Sequence, residues 1–436
     1  MNNPRLIAIQ NLITVIEGNT LDKAFKKNII NLPKKDIALA KELSFGLCRW
    51  YFQLDSIIKK KLKKPLKQKD MDIRLVLMLG AYQLLYSRVA EHAAISTSVE
   101  LTRDLNKEWA SKVVNAILRD IQRDKKKLGL KFFSKINENL QTRYSQQRWL
   151  IEEIQHNWPK EFETILESFQ KKAPMTIRVN TKRQKIDKYI EDLRKKKISF
   201  RTIDDLQSAL VLEKPIGVNE LPGFSEGIVS IQDGGAQYAA DLIDLEENQI
   251  ILDACSAPGG KLGHILEMEK NSSVIAMDIS SARLRLVKEN LDRLKYECQV
   301  YKGDASKPPI EWQSGIFDRI LLDVPCSSSG VIRRHPDIRM IRKYEDLDNL
   351  LKQQINILSA IWPCLKQGGK LLYSTCSILP QENEMQIQNF LDNFSDANEI
   401  LISKKIGIQR IHGIQILPGN RTMDGFYYAL LEKKLV

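Results

Sequence analysis

The sequence has few of the residues that build metal sites and disulfide scaffolds. Its 436 residues include six cysteines and five histidines. The cysteines stand at positions 48, 255, 298, 326, 364 and 376, none in a C-x-x-C pair, and the histidines have no zinc-like spacing. Both a structural metal and a disulfide framework are therefore poor readings, and no metal is expected. The thiols are either buried apolar residues or include a nucleophile. Long hydrophobic runs are also lacking. The longest, Ile73 to Tyr86, contains Arg74 and Gln83 and is short for a membrane span. Near the start, Arg5 is the single basic residue of positions 1–18, Gln10 and Asn11 interrupt the apolar stretch, and no small-residue cleavage site follows. A secretory signal and a membrane partner are not expected, and the cytoplasm is the expected location. No internal repeat or low-complexity linker breaks the chain.

What is present is a globular composition, 43% hydrophobic and 28% charged, on a chain long enough for two or three domains. The net charge of +13 is uneven. Residues 1–130 carry 25 basic and 13 acidic side chains, whereas residues 226–436 carry 24 and 28. The basic half is a candidate for polyanion binding. Its densest block is KKKLKKPLKQK (Lys59 to Lys69), with Lys59, Lys60, Lys61, Lys63 and Lys64 as candidate RNA contacts. Lysine attracts phosphate without reading bases, so this block implies affinity rather than specificity, and a solvated surface is the plain alternative.

Apolar residues recur at helical spacing through residues 1–128: Leu6, Ile9, Ile13 and Ile16, then Ile37, Ala40, Leu43 and Leu47, then Val113, Ile117 and Ile121. An all-helical basic domain is expected there. Residues 129–225 read as a mixed α+β intermediate domain, helical from Trp149 to Gln170 and strand-like after Pro174. From 226 to 436 strands alternate with helices: IILDA, SVIAMD, RILLD and KLLYST are separated by helical stretches. That rhythm predicts a mostly parallel sheet covered on both faces, with ligands at the carboxyl ends of its strands.

Several strand ends carry chemistry. The first leads into DACSAPGGK, where Gly259 and Gly260 let a ligand approach the backbone. It is neither a Walker loop, because Cys255 and Leu262 stand where that motif needs Gly and Ser/Thr, nor a G-x-G-x-x-G turn. Asp278 ends the next strand, where an acid can accept bonds from ribose hydroxyls. A helix N-cap is its plain alternative. Asp304 and Asp323 follow at two further strand ends. Acids beside a glycine turn, without a phosphate cradle, fit S-adenosylmethionine, a nucleoside with a cationic sulfonium and no phosphate. Two thiols, Cys326 in ILLDVPCSSSG and Cys376 in LLYSTCS, close two of these strands. Methylation of cytosine C5 gives such a set work. A thiolate adding to C6 makes C5 nucleophilic, an acid near N3 stabilises the developing charge, and a base must remove the C5 proton before the thiolate leaves. The spacing does not say which thiol attacks.

The segments DACSAPGGK, ILLDVPCSSSGVIRRHPDIR and LLYSTCSILPQEN, with VSIQDGGAQ and IRVN, resemble the motifs of the Sun/RsmB family of rRNA cytosine-C5 methyltransferases. His92 to Ile121 resembles the last helices of a NusB-type RNA-binding domain. The resemblance implies three parts: a NusB-like helical domain (1–128), an intermediate RNA-interacting domain (129–225) and a Rossmann-like methyltransferase domain (226–436). It implies S-adenosylmethionine held by Cys255, Ser256, Ala257, Pro258, Gly259, Gly260 and Lys261, with Asp278 at the ribose, Asp304 near the adenine and Asp323 between cofactor and base. It assigns attack to Cys376 and product release to Cys326. The implied substrate is 16S rRNA, at cytosine 967, before subunit assembly is complete; a monomer is expected. Arg333, Arg334 and His335, just after Cys326, are candidate RNA contacts. Another RNA such as tRNA, a non-enzymatic NusB-type RNA-binding factor, and a DNA enzyme with Cys326 as nucleophile are the alternatives.

Overall fold

The computed structural model describes residues 3–28, 32–129, 131–137 and 139–435. The chain divides into two compact units, Met1–Lys172 with Ile332–Tyr344, and Ala173–Val331 with Glu345–Val436.

The first unit is helical. Helices Pro4–Ile16, Lys34–Arg49, Met71–Tyr86 and Ser111–Leu128 contribute to one apolar core. Met71–Tyr86 is the long hydrophobic run noted above. Its residues from Leu75 to Leu84 are all buried, so its uniform apolarity belongs to a core helix. No helix among the described residues is long and apolar enough to cross a membrane. In Ser111–Leu128 the buried stripe is Val114, Ile117, Leu118 and Ile121. The expected stripe contained Val113, which is partly buried at its edge.

The helical unit runs past the expected boundary at 128. Helices Arg148–Asn157 and Phe162–Gln170 belong to it, with Ile151, Ile154, Leu166 and Phe169 buried. Ile332–Tyr344 completes it. Arg339 is almost fully buried and donates to the carbonyls of Arg49, Ser145 and Phe169 at 2.6–2.9 Å. Asp337 accepts from the Leu21 amide at 2.9 Å, and Arg49 donates to the Arg333 carbonyl at 2.8 Å. A segment from the later half of the sequence thereby satisfies backbone groups of the first.

The second unit holds two sheets. The smaller is antiparallel, in the order β2-β3-β1-β4, from β1 (Met175–Val179), β2 (Phe200–Ile203), β3 (Leu206–Leu212) and β4 (Val229–Ile231). Helix Ile186–Lys195 contributes Tyr189 and Leu193 to its core. The larger sheet contains β5 (Ile250–Asp253), β6 (Ser273–Asp278), β7 (Gln299–Lys302), β8 (Phe317–Asp323), β9 (Leu365–Thr375), β10 (Ala397–Ile400), β11 (Ile408–Gln409), β12 (Ile414–Ile416) and β13 (Phe426–Lys433). Its strands run β11-β12-β13-β9-β8-β5-β6-β7, and β10 pairs with β13. The five strands β7-β6-β5-β8-β9 are parallel, and β13 returns antiparallel on β9. This is the expected Rossmann-like arrangement. The strand order reverses at β5, between β6 and β8, which makes the carboxyl ends of these strands the natural ligand crevice.

The two sheets are tied by a buried ion pair. Arg178 on β1 donates twice to Glu267 on helix Gly260–Met268, both bonds at 2.7 Å, with the side chains 1% and 3% exposed. Arg178 also donates to the Gly260 carbonyl at 3.0 Å, and so reaches the turn that leads out of β5.

Candidate active site

Burial in the sheet interior fixes β5, β6, β8 and β9, so the residues following each strand converge on one edge. Asp278 closes β6 and is 3% exposed. Its Oδ2 accepts from the Ala257 amide at 3.2 Å and its Oδ1 from the Ser280 amide at 2.9 Å. Helix Ser281–Leu294 is capped by Ser280, so Asp278 itself acts on the 255–261 turn. Asp304 forms a local turn, accepting from the amide of Ser306 at 2.9 Å and its hydroxyl at 2.7 Å.

The turn from Cys255 to Lys261 has open space above it. A Cβ added at Gly260 would meet nothing nearer than Gln232 Nε2 at 4.0 Å. Beneath the turn lies a residue whose role the sequence did not disclose. Asp253 is 1% exposed, and among the described residues neither of its carboxylate oxygens has a partner at full hydrogen-bond geometry. Ser256 Oγ is likewise buried without one, and the two groups face each other as neighbours. Burial pushes the Asp253 carboxyl up to about 7; the nearby Ser256 hydroxyl opposes the rise, and Asp323 adds to it. Buried polar atoms require partners, so these orphans mark a place built for a ligand rich in donors or positive charge. A sulfonium nucleoside with an ammonium group fits that donor set. The sequence signal was slight: one more acid at the end of an apolar strand.

At the ends of β8 and β9 an ionic pair stands beside the thiols. Lys261, 8% exposed, places Nζ 2.5 Å from Asp323 Oδ1. Ser374 Oγ donates to the same oxygen at 2.9 Å and receives a bond from Lys261 at 3.3 Å. Among the described residues no hydrogen bond engages Asp323 Oδ2. Lys261, expected only in the cofactor turn, thus also orients Asp323.

Cys326 and Cys376, 50 residues apart in sequence, lie with their sulfurs 3.4 Å apart. Cys326 is buried and Cys376 half-buried. The two are inequivalent. Hydrogen bonding from Cys326 holds Cys376 below the usual thiol range against the effect of burial, and Ser328 and Lys261 assist. Hydrogen bonding to Cys376, followed by burial, pushes Cys326 well up. The pair is thus asymmetric, with ionisation favoured at Cys376 and protonation at Cys326. The loops carrying them are zipped together. Gly330 donates its amide to the Cys376 carbonyl at 2.9 Å, and its own carbonyl accepts from Gly425 at 2.9 Å. A Cβ at Gly330 would fall 2.3 Å from the Gly425 carbonyl oxygen, so no larger residue fits this crossing. Cys255 is driven upward by burial, and Cys48, Cys298 and Cys364 rise for the same reason.

Two of the candidate RNA contacts need correction. Arg333 is 4% exposed, packed within the helical unit, and presents no surface cation. Lys61 is held by Asp120 and Asp124 at 2.5 Å each, so its charge is already paired. Arg334 and His335 are half-buried. Lys59, Lys60, Lys63 and Lys64 remain exposed, with Lys59 paired at 3.0 Å to the buried Asp55.

Comparison with known proteins places this geometry. The family model "16S rRNA methyltransferase RsmB/F" matches residues 240–432, the NusB family model residues 2–123, and a ferredoxin-like domain model of RsmF/B-like methyltransferases residues 146–219. Ribosomal RNA small subunit methyltransferase B of Shewanella oneidensis is 43% identical, over 99% of each chain. The crystal structure of a protein designated PH0851 superposes with a TM-score of 0.81 over 99% of each chain, at 23% identity. That of NSun6 from Pyrococcus horikoshii with SFG gives 0.60, at 21% identity, covering 66% of this chain and 99% of the other. With its thiol pair at the end of the parallel sheet, a NusB-family domain before it and this identity along its whole length, the chain belongs to the RsmB/F family of 16S rRNA methyltransferases.

Proposed function

We propose that the protein methylates C5 of a cytosine in 16S rRNA, with S-adenosylmethionine as methyl donor and cytosine 967 as the target. The observation that carries this reading is the hydrogen-bonded thiol pair beside Asp323 and Lys261. The cofactor supplies a methyl group made electrophilic by its sulfonium, held by Asp253, Asp278 and the turn from Cys255 to Lys261. Cys376 Sγ adds to C6 of the cytosine, the C5=C6 electron pair shifts through the ring toward N3, and Asp323, entering this step as the carboxylic acid, gives N3 a proton that neutralises the charge building there. The enamine-like C5 would be the nucleophile for the methyl group, the sulfonium–methyl bond breaking with S-adenosylhomocysteine as leaving group. A base then takes the C5 proton, the C–H electron pair restores C5=C6, the Sγ–C6 bond breaks, and Cys376 leaves as thiolate with Cys326 assisting. The base must be unpaired or flipped out, which favours RNA not yet enclosed in a finished subunit. Bisulfite sequencing of RNA from a deletion strain tests the substrate. Loss of one 5-methylcytosine in 16S rRNA is expected, and loss of a tRNA site instead would overturn the choice of substrate.

Asp253 makes cofactor binding pH-dependent. Its carboxyl is neutral below about 7 in the free protein, and a cationic ligand favours its ionised form. Affinity for S-adenosylmethionine should therefore rise with pH through that value and level above it. The stability of the free protein should move the other way. The folded state holds this proton between the ordinary carboxyl range and about 7, so stability falls as pH rises across that window. In Asp253→Asn both dependences should flatten. Calorimetric titrations and melting curves across the range check this, and an unaltered binding profile in the variant would remove Asp253 from the cofactor site.

Exposed Lys59, Lys60, Lys63 and Lys64 are proposed phosphate contacts. Replacing all four by Glu should weaken RNA binding and make its salt dependence shallower, by up to about 0.7–0.9 in log–log slope for each phosphate left unneutralised. Filter binding at several salt concentrations measures both; unchanged affinity would make the block a solvated face.

A further inference from the structure

Glu382 lies in the PQEN stretch after β9 and has no part in the mechanism above. It is completely buried. Its Oε1 accepts from the Ser327 amide at 2.7 Å and from Gln354 Nε2 at 3.0 Å. Its Oε2 accepts from the hydroxyls of both Ser327 and Ser377. All four partners are neutral. A carboxylate kept in the interior on such terms is costly, and it is tolerated only where its lone pairs are used. The residues it grips are the immediate neighbours of the two thiols, Ser327 after Cys326 and Ser377 after Cys376. Ser329 joins the same cluster, its hydroxyl 3.1 Å from that of Ser327 and 3.0 Å from that of Ser377.

The two loops depend on this anchor unequally. The Cys376 side has other ties. Thr375 donates to Asn383 Oδ1 at 2.6 Å, and Asn383 and Gln415 both donate to the Ser377 carbonyl at 3.1 Å. Thr375 is also paired across to Tyr427 of β13. The Cys326 loop is also held by the Gly330 amide on the Cys376 carbonyl at 2.9 Å, the Val324 amide on the Ser374 carbonyl at 3.1 Å and the Ser327 and Ser377 hydroxyls 3.2 Å apart. On either side of the thiol, however, the Ser327 amide ends on Glu382, and Gln354, which holds the Pro325 carbonyl at 3.0 Å, is itself bound to Glu382.

We infer that Glu382 is a positioning residue for product release: it holds the Cys326 loop against the Cys376 loop, so that the two sulfurs stay together while the covalent intermediate resolves. The inference rests on the proposed roles of the two thiols. Its negative charge acts in the same sense, since Glu382 adds to the rise that Cys376 and burial impose on Cys326 and so favours the protonated partner. Without the anchor, Cys376 keeps its strand pairing and still attacks, whereas the Ser327 amide beside Cys326 loses its acceptor and Gln354 its hold on the Pro325 side, so Cys326 is less well placed and release slows.

The test uses the full-length enzyme, S-adenosylmethionine and 16S rRNA from a deletion strain. In Glu382→Ala, turnover should fall by about tenfold or more, the scale on which a misplaced assisting group acts. KM for RNA should stay close to the wild-type value, and a protein–RNA adduct stable on denaturing gels should accumulate. Glu382→Gln keeps one acceptor for the Ser327 amide and should give the same pattern in weaker form; it decides the matter if the alanine variant does not fold. A fall in turnover with adduct at the wild-type level in both variants overturns the inference, as does unchanged turnover. Cys376→Ala and Cys326→Ala, run alongside, separate the two claims. Methylation surviving in Cys376→Ala refutes the thiol roles themselves. Loss of methylation there and adduct in Cys326→Ala, with none in the Glu382 variants, refutes only the anchor.

Discussion

Cys376→Ala should abolish methyl transfer to 16S rRNA, with a fall of more than about a thousandfold, because C5 of cytosine has no comparable nucleophilicity until a thiolate has added to C6. Cys326→Ala should behave differently. Attack loses the hydrogen bond from Cys326 and slows, but Ser328 and Lys261 still favour the Cys376 thiolate, so methylation of C5 proceeds and the enzyme remains bonded through C6. A slow-migrating protein–RNA band on a denaturing gel is the expected readout. The expected asymmetry rests on their surroundings: Cys376 is the half-buried thiol, with Ser328 and Lys261 beside it, while Cys326 is buried. The reverse outcome, adduct in Cys376→Ala and none in Cys326→Ala, would exchange the roles and give the order used by DNA cytosine-C5 enzymes.

Arg178→Met should destabilise the second unit by about 3–5 kcal/mol, because it strands the Glu267 carboxylate in an interior where that group is 3% exposed. On a unit of this size the loss corresponds to a melting temperature lower by on the order of 10 °C. The double variant Arg178→Met/Glu267→Leu should recover much of it, since removing both charges also removes their desolvation cost. Thermal melts of the two variants decide this; equal melting temperatures would mean that the pair adds nothing beyond its volume. The single variant should also weaken cofactor binding, because Arg178 holds the Gly260 carbonyl at the turn above Asp253.

Much of the candidate site's edge of the sheet was legible in the sequence. Parallel strands buried on both faces appear as short apolar runs, and the polar residues that end them mark the ligand edge. Asp278, Asp323, Cys326 and Cys376 were found in this way. What the pattern could not supply was pairing across sequence distance. That Lys261 would turn toward Asp323, that Asp253 would be left without a partner at full hydrogen-bond geometry, and that Glu382 would gather the serines beside both thiols depend on how loops about 50 or more residues apart meet. The same limit explains the errors outside the site. Arg333 followed Cys326 in a run of charges that looked solvated, and Lys61 sat in a lysine block whose counter-charges, Asp120 and Asp124, come from a distant helix.

The segment Ile332–Tyr344 also bears on how the protein is made. The helical unit is discontinuous in the chain, and the carbonyls that Arg339 satisfies wait for a residue synthesised long after them. When residue 172 leaves the ribosome that unit still lacks a piece of its interior, and strands β1 to β8 emerge before the piece arrives. Independent maturation from the N-terminus, the usual order for chains of several domains, is closed to it. A nascent chain arrested before residue 332 should be cut readily by protease within its helices, and one released past residue 344 should resist.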